Sequence, residues 1–393
     1  MLRSAVLWIH KWMGILSGIV VLSLGITGCL YVFQEELKLL FYPQKYFLEK
    51  KHNDAPMPLS TLIAHAQAAL PPSHRITRAD LYPDPSRTWI FRASKTNENA
   101  FGHWNYYSYY DRVFVNPYTG AVTAVEDSKN EFFQLVLQMH LNLLLGKKYG
   151  HPIVGYATAV FVLLLISGLI LWWPKRWKGK TLKRSIWIDR KAKWKRLNYD
   201  LHNVFGFYSL FIGLVIGITG LVFAFPAFEK SYVNFFNHLG TDEIKQNKPT
   251  YPLVSGPEAS AMDKALYFAI KNYPTADMMS LRLRNEADKP VDIQIRLQKD
   301  KTSRFKWYYF DAVTAQIINI KSDDNLSGGE KLRSMNYDLH VGSIGGLPTK
   351  ILAFFISLFC ASLPVTGYIL WWQKSSKSNK KYNRRKKRHI QPA

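Results

Sequence analysis

The chain has 393 residues, 48% hydrophobic and 15% aromatic, a composition that excludes a disordered or fibrous protein. Its 52 Lys and Arg stand against 28 Asp and Glu, a formal charge of +24. Cys29 and Cys360, the only cysteines, both lie in uncharged runs, which excludes a disulfide framework and any Cys-rich zinc or iron–sulfur site.

Residues 12–34 form the first of four stretches free of Asp, Glu, Lys and Arg. The others are 149–174, 201–228 and 351–373, and each exceeds the roughly 20 apolar residues that span a bilayer. The charge is concentrated beside them. Arg3, Lys11, the loop 175–200 and the tail 374–393 hold 22 Lys and Arg against two Asp, or +20, leaving +4 for the rest. By the positive-inside rule these segments face the cytoplasm, where they meet anionic lipid, not nucleic acid. The expected organisation is 1–34 (N-terminus and first span), an outer α+β domain over 35–148, and the second span 149–174. The basic loop 175–200, the third span 201–228, a second outer α+β domain over 229–350, the fourth span 351–373 and the tail follow.

Within 35–148 an amphipathic helix over 59–70, closed by Pro71, precedes alternating strands at 76–82, 88–93, 106–115 and 121–125. Within 229–350 the same order recurs: a helix over 257–273, then strands at 279–284, 291–297, 305–310 and 316–320. The turn Asn116-Pro-Tyr-Thr-Gly120 has a degenerate counterpart in Asp311-Ala-Val-Thr-Ala315.

The spans repeat as well. Gly14, Gly25, Thr27 and Gly28 follow His10 at the offsets at which Gly206, Gly217, Thr219 and Gly220 follow His202. The second and fourth spans end in Ser167-Gly-Leu-Ile-Leu-Trp-Trp173 and Thr366-Gly-Tyr-Ile-Leu-Trp-Trp372, with the tryptophans as an interfacial belt. Asn198–His202 and Asn336–His340 both read Asn-Tyr-Asp-Leu-His. The expected fold is an α-helical membrane protein of four spans with an internal duplication and two outer α+β domains.

Of eleven histidines, His52, His65, His74, His103, His238 and His389 read as solvated or locally hydrogen-bonded. His10 and His202 lie at the cytoplasmic ends of spans, and His140 and His340 at the outer ends. A single such residue would simply snorkel to water, but four related in pairs are functional candidates. Two imidazoles on opposite sides of one planar macrocycle are the ligand set of bis-His haem. Zinc would take more ligands, usually with an acid or thiol. The Thr-Gly pairs of the first and third spans fall level with the outer histidines, and Ser167-Gly168 and Thr366-Gly367 with the inner ones. Their small side chains either admit a porphyrin face or pack helices closely. His151 has no counterpart in the second half, and either replaces His140 as a ligand or binds a haem propionate.

These motifs, His-x-x-x-Gly with Thr-Gly, the His140 helix, Thr-Gly-x-x-Leu-Trp-Trp and the Asn116–Gly120 turn, resemble the PepSY-associated transmembrane proteins. The resemblance covers nearly the whole chain. It implies a bacterial inner-membrane protein of the ferrioxamine-reductase type with periplasmic PepSY-like domains and haem b, expected as two haems, one for each histidine pair. The implied activity is reduction of Fe(III) in a ferric siderophore, with Fe(II) released. No dinucleotide-binding motif follows a strand, so the electron donor is a cytoplasmic reductant, another protein or a quinone. A substrate pocket is expected between the outer domains. The run 101–110 is aromatic enough to receive a bulky chelate, or else packs a domain core. Two rival functions stand beside the reductase: a haem carrier serving another acceptor, and a non-enzymatic sensor or scaffold.

Overall fold

The structure, a computed structural model, describes residues 2–51, 54–174, 177–239, 260–283 and 289–389. The chain opens with α1 (Leu2–Val32), followed by the short α2 (Gln34–Phe41) and α3 (Pro43–Tyr46). Then come α4 (Leu59–Ala68), β1 (Ile76–Leu81), β2 (Trp89–Thr96), the helical turn α5 (His103–Tyr106), β3 (Tyr107–Val115) and β4 (Val122–Asp127). α6 (Phe132–Asn142) carries His140 and turns back into α7 (Lys147–Trp172). The basic loop contains α8 (Gly179–Ile186) and leads to α9 (Trp194–Ala224) and α10 (Pro226–Leu239). The second half continues with α11 (Ala261–Asn272), β5 (Met278–Arg282), β6 (Val291–Gln298), β7 (Lys301–Phe310) and β8 (Ile317–Ser322). It closes with α12 (Gly328–Ser334), α13 (Asn336–His340) and α14 (Leu347–His389).

Among the described residues α1, α7, α9 and the Leu347–Lys374 part of α14 are long and apolar enough to cross a membrane. The chain is a multi-pass membrane protein with an α+β region. The four helices form a closed bundle in which α1 and α9 each pack against both α7 and α14. All four helices start before their uncharged runs, most of all α1 at Leu2 instead of 12 and α9 at Trp194 instead of 201. An uncharged run marks only the hydrocarbon-embedded part of a helix. With no proline to stop it, the backbone stays helical through the headgroup region. His10 and His202 consequently lie inside helices and not at their first turn.

The two segments expected over 35–148 and 229–350 do not stand as separate modules. Their strands join one eight-stranded antiparallel sheet in the order β4-β3-β2-β1-β5-β6-β7-β8. Each half is a meander, and β1 and β5 pair at the centre with Ala79 opposite Leu281 and Asp80 opposite Ser280. Separate sheets would expose β1 and β5 as unpaired edges, and joining them removes both. The period-2 pattern gives each strand its two faces but leaves open which strand lies beside which.

One sheet face is apolar. Ala79, Phe91, Val113, Leu281, Ile293 and Phe310 are fully buried beneath α4 and α11 in a single core, each large side chain contributing about 2–3 kcal/mol. The alternate positions Arg78, Asp80, Arg92, Arg112, Arg282 and Arg296 make the other face polar. That face meets α2 and α6, through Arg296 with Glu35 and Arg112 with Glu131. The helix expected over 257–273 is seen as α11. Residues 257–259, and Arg284 at the end of the strand expected over 279–284, lie outside the described residues.

Candidate functional site

α6 starts where Glu131 accepts the amides of Phe133 and Gln134. It ends at Leu143 and Leu144, both left-handed. The following α7 passes so close to it that a Cβ on Gly150 would lie 1.7 Å from the Asn142 carbonyl oxygen. Only glycine allows this corner, which sets His140 over the end of the bundle. In the second half α13 and α14 make the corresponding corner.

The structure brings the four terminal histidines together in two pairs. His10 of α1 meets His202 of α9 with ring centroids 6.4 Å apart and planes at 90°. At the other end of the bundle His140 of α6 meets His340 of α13 at 6.0 Å and 71°. Both pairs join the first half of the chain to the second. Along α1 the two sites are separated by the distance from His10 to Thr27, about 25 Å.

Each imidazole is held by its own half. Nδ1 of His10 lies 2.9 Å from Ser167 Oγ, and Nδ1 of His140 lies 2.9 Å from Thr27 Oγ1. In the second half, Nδ1 of His202 lies 2.9 Å from Thr366 Oγ1 and Nδ1 of His340 lies 3.0 Å from Thr219 Oγ1. A hydroxyl has one proton, and all four hydroxyls already donate it to a backbone carbonyl of their own helix. These bonds run from Ser167 to Leu164, Thr27 to Ser23, Thr366 to Ser362 and Thr219 to Val215. The hydroxyl therefore accepts from Nδ1–H, which assigns the proton to Nδ1 and leaves the lone pair on Nε2. Burial pushes His140 and His340 down to about 4, with the neighbouring His140 adding to the effect at His340, so both are neutral at pH 7.

The glycines divide into two groups. A Cβ on Gly168, Gly367, Gly28 or Gly220 would sit 3.4–3.7 Å from Cε1 of the imidazole that the preceding residue holds. That is ordinary van der Waals contact, so these four glycines lie against the imidazoles without being required by them. Gly25 and Gly217 instead serve close helix packing, where a Cβ would lie 2.7 Å from Ala361 and Val162 respectively.

The repeated pentapeptide has a shared structural role. Asn198 Nδ2 donates to the Thr366 carbonyl, and Asn336 Nδ2 to the Thr219 carbonyl, both at 3.1 Å. Each asparagine thus ties its histidine, one turn on, to the threonine that holds it. The aspartates of the repeat diverge: Asp338 receives Thr302 and Ser303 of β7, whereas Asp200 pairs with Arg196. Sequence reasoning took Ser167 and the threonines only as small residues and gave the asparagines no role. The identical offsets were the signal for both.

His151, on the first turns of α7, has no ring contact or hydrogen bond with either pair among the described residues. Of the remaining histidines, His65 and His103 donate to the carbonyls of Gly120 and Lys129, His74 meets Asp111, and His238 donates to the Asn234 carbonyl. His52 lies outside the described residues, as does the side chain of His389. Among the described residues no group of three or more His, Cys, Asp or Glu is placed to hold a metal ion. What the bundle offers is two sites of two imidazole nitrogen donors each.

A chain with this bundle and these paired motifs is a membrane protein of the PepSY-associated kind. Residues 7–374 match the PepSY-associated TM region, and the chain belongs to that family. No curated protein matches it.

Proposed function

We propose that the protein is a haem-containing oxidoreductase of the bacterial inner membrane that passes electrons across the bilayer to Fe(III) in a ferric siderophore. One electron per iron weakens the chelate and frees Fe(II). The observation that carries this reading is the pair of cross-half histidine contacts, each with Nδ1–H engaged and Nε2 carrying a lone pair. An iron held between two facing imidazole nitrogens at bonds of about 2 Å would need ring centres about 6 Å apart. The observed separations of 6.4 and 6.0 Å fit that spacing.

His10 with His202 would hold the inner haem b, and His140 with His340 the outer one. Haem supplies one-electron iron chemistry that no side chain here provides. The chain's own contribution is orientation. Ser167, Thr27, Thr366 and Thr219 fix ring tautomer and direction and raise the basicity of Nε2, as partners of metal-bound histidines do. The +20 charge cluster supports a cytoplasmic location for both termini and the loop 175–200, and so a periplasmic location for the sheet. Electrons then enter on the His10/His202 side, from a cytoplasmic reductant or quinone, and leave on the sheet side. No feature of the site favours the electron-carrier or sensor readings over this one.

Proteoliposomes test the function. With reductant inside, a ferric siderophore outside should be reduced by the wild type and not by His10→Ala or His340→Ala. Reduction at the normal rate without the inner ligands would mean that electrons reach the sheet side from a periplasmic donor.

A further inference from the structure

The polar face of the sheet carries an open cavity of about 510 Å³ at the seam where the two halves join, within the volume range of small-molecule sites. Arg78 of β1, Arg92 of β2 and Arg282 of β5 line it, with the hydroxyls of Ser94, Thr96 and Tyr107. Its remaining wall is α6, through Gln134, Leu137 and Gln138. Leu137 is one helical turn from His140.

The three guanidiniums outnumber the carboxylates beside them. Asp80, fully buried beneath the cavity, pairs with Arg92 and lies 3.7 Å from Arg78. Asp292 lies 4.0 Å from Arg282. Burial, with Arg92 and Arg282 close by, lowers the pKa of Arg78 against the pull of Asp80. The buried Nε of Arg92 has no acceptor. Like charges are not crowded against a cavity wall without a cost that a bound anion would offset. Planar forks beside hydroxyl donors suit carboxylates, which guanidinium groups bind in bidentate fashion.

We propose that this cavity binds a small soluble anion carrying several carboxylates, the class of chelator whose ferric complexes keep a negative charge. Its role as the electron acceptor rests on the reductase reading, but its binding does not. The aromatic run expected to face a chelate is only partly involved: Tyr107 and Tyr110 line the cavity, whereas Phe101 and Trp104 are exposed away from it.

The test is calorimetric titration of the full-length protein in detergent, at low salt, with citrate, redox-inert gallium citrate and inorganic phosphate. Arg78 and Arg282 are the positions to change, since their side chains are 37% and 45% exposed and neither carries the core. One citrate or gallium citrate should bind per chain, more tightly than phosphate. Arg78→Gln and Arg282→Gln should each weaken binding about tenfold or more, Arg78→Lys should weaken it less, and Arg304→Gln, outside the cavity, should leave it unchanged. The proposal is overturned if wild-type protein shows no saturable binding, if Arg282→Gln binds equally well, or if phosphate matches citrate. It is also overturned if haem-free protein binds citrate and haem-loaded protein does not, since the carboxylates are then the cofactor's own. Citrate binding in a protein with no haem spectrum would instead break the reductase reading and leave the cavity assigned.

Discussion

The inner and outer histidine pairs have nearly the same ring separation but are built from different parts. His10 and His202 ride on α1 and α9, long helices fixed by the bilayer. His140 and His340 ride on the short α6 and α13, which lie between the sheet and the bundle and are held from both sides. On the bundle side the holders are Thr27 and Thr219, the far ends of the very helices that carry His10 and His202. On the sheet side Asp338 receives Thr302 and Ser303, and Arg112 lies 4.0 Å from Glu131 at the start of α6. Hydrogen bonds that orient the rings stay within a half, while the ring pairs cross between halves. The two halves of the chain thus meet in two ring pairs that neither half could form alone.

The comparison breaks most sharply under ligand removal. His10→Ala or His202→Ala should lower haem from two to one per chain by losing the inner group, and His140→Ala or His340→Ala by losing the outer. Haem content by pyridine haemochrome, with redox titration to tell the two sites apart, checks the grouping. Loss of both groups in one variant would contradict two independent sites.

The orienting hydroxyls come next. Removing partners of this kind typically costs 10–100-fold in metal-site affinity or activity. Thr27→Val and Thr219→Val should approach the upper end, because α6 and α13 have no span of their own to hold them. Ser167→Ala and Thr366→Ala should fall nearer the lower end. Haem retention on dilution measures this, and in each case weaker donation from Nδ1–H should raise the midpoint potential of the affected site.

Asn336→Ala should lower stability by about 1 kcal/mol, the net worth of the hydrogen bond it gives the Thr219 carbonyl, which the backbone of α9 still satisfies. The equivalent positions before His10 and His140 are Val6 and Val136, so the first half has no such tie to lose. Thermal melts of Asn336→Ala and Val136→Ala, with haem spectra recorded, separate a tie to the site from loss of packing.

The smallest effect lies in the paired turns. Gly120 has φ +71° and Ala315 φ +59°, and Asn116 and Asp311 cap their turns alike. Ala315→Gly should therefore stabilise by about 1 kcal/mol. Gly120→Ala should destabilise by more, because its Cβ would also lie 2.3 Å from His65 Nδ1. Chemical denaturation of the two variants measures the difference.

These contrasts also mark what the sequence makes legible. The spans, the strands and the four histidines could be read because each rests on a local signal: an uncharged run, an alternation or an exact repeat. Helix starts could not, since Leu2 and Trp194 lie in polar interfacial sequence that hydropathy does not score. The single sheet was hidden because no residue in β1 announces β5 as its neighbour. The roles of Thr27, Ser167 and Asn336 were hidden for a related reason. The repeat aligns them with residues nearby in sequence, but their hydrogen bonds reach the histidine or threonine of another helix. The turn at Ala315 misled in the opposite direction: its missing glycine looked like decay, yet the backbone keeps the same left-handed conformation.

The most direct test of the account is the visible spectrum of the purified protein, oxidised and reduced, combined with haem quantitation. The account predicts low-spin, non-covalently bound b-type haem at two per chain, reduced to one by any single substitution among His10, His202, His140 and His340 and left at two by His151→Ala. A protein without a Soret band, or one in which His151→Ala removes a haem while His140→Ala does not, would contradict it.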